Sequence, residues 1–180
     1  MVVEQPKRLR EQTPAERFTA AYQQLSPRVL GYLRSHGVDD PEAVTNDVFL
    51  ALHRNLDRVT GGDDDVRTLT FSIAHARLVD HHRARAIRPR DVEFEPEADP
   101  RRAPSAEDAA LEHLGGRGVL ALLDALGDEQ REAVTLRVVA GLTLDETAQV
   151  MEKSIGAIKQ LQRRALESLR RGLGDRRDHD

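Results

Sequence analysis

The chain has no cysteine and no tryptophan, and only two tyrosines and four phenylalanines among its 180 residues. The missing thiols exclude a disulfide scaffold, a thiolate zinc site and a cysteine nucleophile, and they suit a reducing compartment. The scarcity of rings means that the core must be aliphatic, built from Leu, Val, Ile and Ala, which favours helix packing over a sheet sandwich. Long apolar runs are also missing: the densest, Val119 to Leu123, falls far short of the roughly 20 residues that span a bilayer. Met1 to Gln12 carries Lys7, Arg8 and Arg10 with no apolar segment behind them. A secretory signal is therefore not expected, and the reading is of a cytoplasmic protein without membrane insertion.

Charge is plentiful, at 32% of residues, and the net value of −4 hides its segregation. From His36 to Asp65 eight acids stand against two arginines, and from Val66 to Arg90 six arginines stand against Asp80. Asp91 to Glu112 returns to eight acids against two arginines, and Met151 to Leu173 carries six bases against two acids. Two basic stretches thus alternate with two acidic ones, a pattern that keeps nucleic acid open as a partner despite the overall sign. Pro89, Pro96, Pro100 and Pro104 fall in one acidic stretch where no helical period survives. Residues 89–105 read as a linker between an N-terminal domain of residues 13–88 and a C-terminal domain of residues 106–173. The expected fold class is all-α, two small helical domains on a tether.

Thr13-Pro14-Ala15-Glu16 reads as a capping box with proline in the first turn. Phe18, Ala21, Tyr22, Leu25, Val29 and Leu33 then mark one helical face, with a break or kink expected at Ser26-Pro27 and an end at Gly37. Asp39-Asp40-Pro41-Glu42 opens a second helix with Val44, Val48, Leu52 and Leu56 at steps of four, closed by Gly61-Gly62-Asp63. A third runs from about Val66 to Ile87, with Val66, Leu69, Ile73 and Ala76 expected inward and Arg77, His81, Arg85 and Arg88 as an outer stripe. Beyond the linker, Ser105 to Leu114, Val119 to Leu126 and Glu129 to Ala140 read as helices, the last ended by Gly141. Thr143-Leu144-Asp145-Glu146 caps a short helix to about Val150, Met151 to Lys153 is a tight connection, and Ser154 caps a long final helix. Ile158, Leu161, Ala165 and Leu169 are its inner face, with Lys159 and Arg163 opposite. A short helix, a turn and a longer helix with a basic leading edge form a helix-turn-helix pattern.

The small residues Ser154, Gly156 and Ala157 let that helix approach a phosphate, while Lys159, Gln160 and Arg163 have the length to reach groove edges. A merely solvated amphipathic helix is the plainer alternative, and for the third helix phosphate binding and simple solvation are equally open. His75, His81 and His82 lack a zinc-enzyme spacing, so no metal is assigned. Asp63-Asp64-Asp65 reads as a solvated turn and Gly115-Gly116-Arg117-Gly118 as a hinge. No nucleophile or paired-carboxylate motif stands out, so neither an enzyme nor a cofactor is expected.

Taken together, the two basic helices, their order and the acidic linker resemble a bacterial sigma factor of the sigma-70 family, in its two-domain extracytoplasmic-function (ECF) form. Asp128 to Val134, Leu136-Arg137, Gly141-Leu142-Thr143, Glu146, Ala148 and Ser154 to Lys159 resemble the −35-binding domain. Val44 to Leu50, with Asp47-Val48-Phe49, is similar to the polymerase-binding motif, and Arg67-Thr68, Phe71, Ile73-Ala74, Arg77 and Asp80-His81 resemble the −10-binding helix. The resemblance implies that Asp40, Glu42, Asp47, Val48 and Phe49 meet core RNA polymerase. It implies further that Arg67, Phe71, Arg77, His81 and Arg85 meet the −10 element of promoter DNA. Ser154, Gly156, Ala157, Lys159, Gln160 and Arg163 would meet the −35 element, the loop from Asp57 to Asp65 would lie beside a flipped base, and an anti-sigma factor would be a second protein partner. Leu69-Thr70 stands where the family usually has Trp-Leu, and Ala76 where it usually has Asn. Two other readings stay open: a helix-turn-helix regulator that works without polymerase, and a helical adaptor for acidic proteins.

Overall fold

A computed structural model describes residues 13–87 and 122–177; the linker and the helix expected from Ser105 lie outside the described residues. Helices are α1 (Pro14–Ser35), α2 (Pro41–Asn55), α3 (Asp63–Ile87), α4 (Asp128–Val138), α5 (Leu144–Val150) and α6 (Ile155–Arg177), with a 3₁₀ turn at Leu56–Arg58. No strand occurs among the described residues.

Local chemistry sets most boundaries. Thr13 and Glu16 close the capping box of α1, Asp40 caps α2 by accepting from the Ala43 N–H at 3.1 Å, and Thr143 and Glu146 repeat the box on α5. Gly37, at φ +66°, turns the chain out of α1. Of the break or kink expected at Ser26-Pro27, the break does not occur: α1 runs on through Pro27 as 22 residues. Proline in a helix costs about 3 kcal/mol. The flanking Leu25, Val29, Tyr32 and Leu33 are buried, and full burial contributes about 1.5–3 kcal/mol per large apolar side chain. Packing on both sides of the proline therefore outweighs the lost hydrogen bond.

The inner face of α3 also differs from the expected one. Val66, Thr70, Phe71, Ala74 and Leu78 are buried, Leu69 and Ile73 are partly so, and Ala76 is exposed. Thr70 enters the core because its hydroxyl donates to the Val66 carbonyl at 2.7 Å, which removes the cost of burying it unpaired.

Each half is a helical bundle, and the two are in contact rather than held apart as the tether suggested. One apolar cluster runs from Val29, Tyr32, Leu33, Val48 and Phe71 through Ala133, Leu136, Leu142 and Ile158. A smaller cluster of Leu123, Leu126 and Ala165 lies within the C-terminal half.

The α5–α6 turn reverses at Glu152, which sits at φ 51° where glycine is the usual occupant. A left-handed non-glycine residue costs about 1–2 kcal/mol. Glu152→Gly is expected to raise the thermal midpoint by a few degrees; an unchanged or lower midpoint would show that the turn carries no such strain.

Candidate nucleic-acid and polymerase interfaces

The C-terminal site begins with α5, whose Thr147, Ala148 and Val150 are buried, and with Ile158, which is fully enclosed and anchors α6. Ser154 accepts from the Ala157 N–H at 3.2 Å and so fixes the start of α6. Ser154, Gly156, Lys159, Gln160 and Arg163 stand exposed at or near that start, and Ala157 is half-buried beside them. The helix presents free N–H groups, an amide and cations together, which is the equipment for phosphates and base edges. All six residues expected at the −35 element are thus at the leading end of α6.

Residues expected at the −10 element are dispersed. Arg77 is exposed, and Arg85 and His81 lie 3.5 and 3.7 Å from the Asp39 carboxylate. Phe71 has 0% exposure and meets Tyr32 edge to face at 5.8 Å, so it is a core residue and not a surface for bases. Arg67 is paired with Asp64 at 3.0 Å and with Glu146 of α5 at 3.4 Å.

On α2, Asp47 is exposed, Glu42 binds Arg34 at 2.6 Å, and Asp40 is occupied in capping. Val48 and Phe49 are buried at 0% and 2% exposure, so neither is available to a docking partner as expected. Exposed apolar residues near them are Leu50 of α2, at 57%, and Tyr22 of α1, at 43%, whose ring meets Phe49 at 4.8 Å. Leu50 had a signal in the sequence, since it lies off the step-of-four stripe of Val44, Val48, Leu52 and Leu56, whereas Tyr22 departs from the apolar face of α1 on which its spacing put it.

A third set of residues was not singled out as a site from the sequence. Glu132 of α4 reaches across to the N-terminal half, where its Oε1 accepts from the Tyr32 hydroxyl at 2.8 Å and is paired with His75 Nδ1. Beside it, Arg131 donates to the Leu123 carbonyl at 3.0 Å and reaches the Ser35 carbonyl at 3.5 Å. Nothing in the spacing of Tyr32, His75 and Glu132 marks them as neighbours, because they lie on three different helices.

The charges in this cluster are coupled. The bond to Glu132 raises the His75 pKa from the usual 6.5 against the opposing effect of burial, and the negative Glu152 adds to the rise. Burial would raise Glu132, but the bonds from His75 and Tyr32 outweigh it and hold the carboxyl below 4.5. His36 moves the other way: burial lowers it below 6.5, and Arg131 and His82 oppose its protonation, against the pull of the Tyr32 carbonyl and Glu132. A raised His75 supports the joined state below 6.5 and withdraws as pH climbs through its raised pKa. Lowered His36 and Glu132 support it above 6.5 and 4.5 respectively and withdraw as pH falls through their lowered values. A proton NMR titration is expected to place the His75 midpoint above 6.5, and Glu132→Gln is expected to bring it to 6.5 or below, since burial then acts without the carboxylate. Identical midpoints in the two proteins would break the assigned pair.

Comparison with known proteins supplies the family. Residues 122–171 match the family described as Sigma-70, region 4. The chain is 34% identical over 163 residues to the ECF RNA polymerase sigma factor BldN of Streptomyces coelicolor, covering 89% of this chain and 62% of that protein's length. It is 32% identical over 168 residues to the ECF RNA polymerase sigma factor SigK of Mycolicibacterium vanbaalenii, covering 91% of this chain and 85% of that one. In fold it is similar to CnrH, solved in complex with the cytosolic domain of CnrY, with a TM-score of 0.63 at 22% identity over 88% of each chain. With relatives of this identity matched along most of their length, the chain belongs to the ECF RNA polymerase sigma factors.

Proposed function

We propose that this chain binds core RNA polymerase and directs it to a small set of promoters, as a specificity subunit with no catalysis of its own, in the cytoplasm where the polymerase works. The observation that carries this reading is the exposed polar start of α6, capped and held by a buried helix-turn-helix core, in a chain of this family. Lys159, Gln160 and Arg163 take the upstream promoter element. Arg77, Arg85 and His81, on the outer side of α3, take phosphates near the downstream element, with residues 13–88 and 106–173 as the two working domains. Asp47 offers a carboxylate to basic groups of the polymerase, and Leu50 with Tyr22 supplies the apolar anchor in place of Phe49.

An anti-sigma factor is a second proposed partner. It is supported by the similar folds of CnrH and of a Bartonella quintana RpoE, the latter solved with the anti-sigma factor NepR. Among the described residues no helix is long and apolar enough to cross a membrane.

Run-off transcription with purified core enzyme tests the main reading: promoter-dependent product is expected, whereas no product together with tight duplex binding by the chain alone would favour a polymerase-independent regulator. Lys159→Ala and Arg163→Ala are each expected to weaken upstream-element binding and lower its salt slope by roughly 0.9 for each phosphate no longer neutralised. Unchanged slopes in both would remove α6 from the DNA surface. Asp47→Arg and Leu50→Asp are each expected to weaken core association by about tenfold or more with the thermal midpoint preserved. Equal affinity would move the docking surface away from α2.

A further inference from the structure

A cavity of about 250 Å³ lies between one face of α1 and the start of α3. Arg17, Gln24 and Arg28 line it from α1, where spacings of seven and four put them on one stripe of the helix. Asp63 and Arg67 line it from α3, and the buried Ala21, Leu25 and Val66 supply its apolar surface. Among the described residues, three guanidinium groups thus surround this space against a single carboxylate.

The three cations differ in what already holds them. Arg17 donates to the Val59 and Gly61 carbonyls at 3.1 and 2.9 Å, neutral groups that fix its position and leave its charge unmet. Arg67 is paired with Asp64 at 3.0 Å and Glu146 at 3.4 Å, yet its Nε is buried with no hydrogen-bond acceptor among the described residues. A buried donor in that state costs free energy, and an acceptor brought into the cavity removes the cost. Arg28 and Gln24 are exposed and make no hydrogen bond or ion pair among the described residues.

We propose that this cavity binds a small phosphorylated ligand of about the size of one nucleotide, a binding function separate from promoter recognition. The phosphate lies among Arg17, Arg28 and Arg67, since guanidinium forks pair with phosphate oxygens and three of them suit a dianion better than the single charge of a carboxylate. Two of the three are held in place before the ligand arrives, which lowers the ordering cost of binding. The apolar body of the ligand rests on Ala21, Leu25 and Val66. Asp63 offers only acceptors, so the end of the ligand remote from the phosphate carries N–H donors, and Gln24 serves either role. Guanosine monophosphate has this form, with a donor edge on its base and a phosphate at the other end. The volume stands at the lower edge of ligand pockets, so one small molecule enters and a run of stacked bases does not.

Isothermal titration of the full chain with guanosine monophosphate tests the site, at low ionic strength where exposed cations are least screened. Saturable binding is expected, with guanosine and inorganic phosphate each about tenfold weaker or more, because each keeps only part of the contacts. Arg28→Ala is expected to weaken the nucleotide about tenfold and Gln24→Ala about threefold. Circular dichroism is expected to show both folded, as neither side chain is engaged with the rest of the described chain. Arg54→Ala, which removes an exposed cation of α2 outside the cavity, is expected to leave binding unchanged. No saturable binding of the nucleotide, equal weakening by Arg28→Ala and Arg54→Ala, or inorganic phosphate binding as tightly as the nucleotide would overturn the proposal. Displacement of the nucleotide by a short single-stranded DNA at equal phosphate concentration would also overturn it, since the cavity would then serve a nucleic-acid backbone and not a free ligand.

Discussion

The arrangement depends on one carboxylate. Glu132 is 13% exposed, and a negative charge this far out of water is tolerated only with donors in place. Both of its donors, the Tyr32 hydroxyl and His75, belong to the other half of the molecule. The C-terminal half therefore cannot slide or rotate on the N-terminal half without leaving a buried charge unpaired, a loss of about 3–5 kcal/mol when one partner of such a pair is removed. Apolar contact between Tyr32, Phe71, Ala133 and Leu136 provides adhesion without direction. Glu132 supplies the direction, and Arg131 reinforces it by reaching the Ser35 carbonyl from the next position on α4.

That single register decides which surfaces face water. The start of α6 and the Asp47–Leu50 side of α2 face out, and the front of α3 meets α5 through Arg67 and Glu146. The polar start of α6 and the Asp47–Leu50 side of α2 are displayed, while Arg67 is engaged within the chain. Part of the positive charge of α3 is met within the chain: Arg67 is paired with Asp64 and Glu146, and Arg85 lies against Asp39.

Much of this fold was legible in the sequence, wherever the signal was local. Capping boxes at Thr13 and Thr143, the Asp40 cap, the Gly37 stop and the inner face of α6 all follow from side chains within four residues of one another. Pro27 does not end α1 because its cost is local while the packing that offsets it is tertiary. The α3 face was misread because Thr70 looks polar by type, although its hydroxyl is satisfied by its own helix, and because Phe71 was assigned to DNA when the core had a place for it. Of the candidate sites, the start of α6 was readable since it is one exposed face of one helix. The Glu132 cluster was not, because residues 32, 75 and 132 become neighbours only after three helices pack.

The central claim, that the two halves are held in one register through Glu132, has one direct test. With no native cysteine, spin labels attach only where cysteines are introduced, and exposed Arg54 of α2 and Leu166 of α6 are suitable positions. Pulsed dipolar spectroscopy on that doubly labelled chain is expected to give one narrow distance distribution, and a broader one when Glu132→Ala is added. A broad distribution in the free chain, unaltered by Glu132→Ala, would contradict the account.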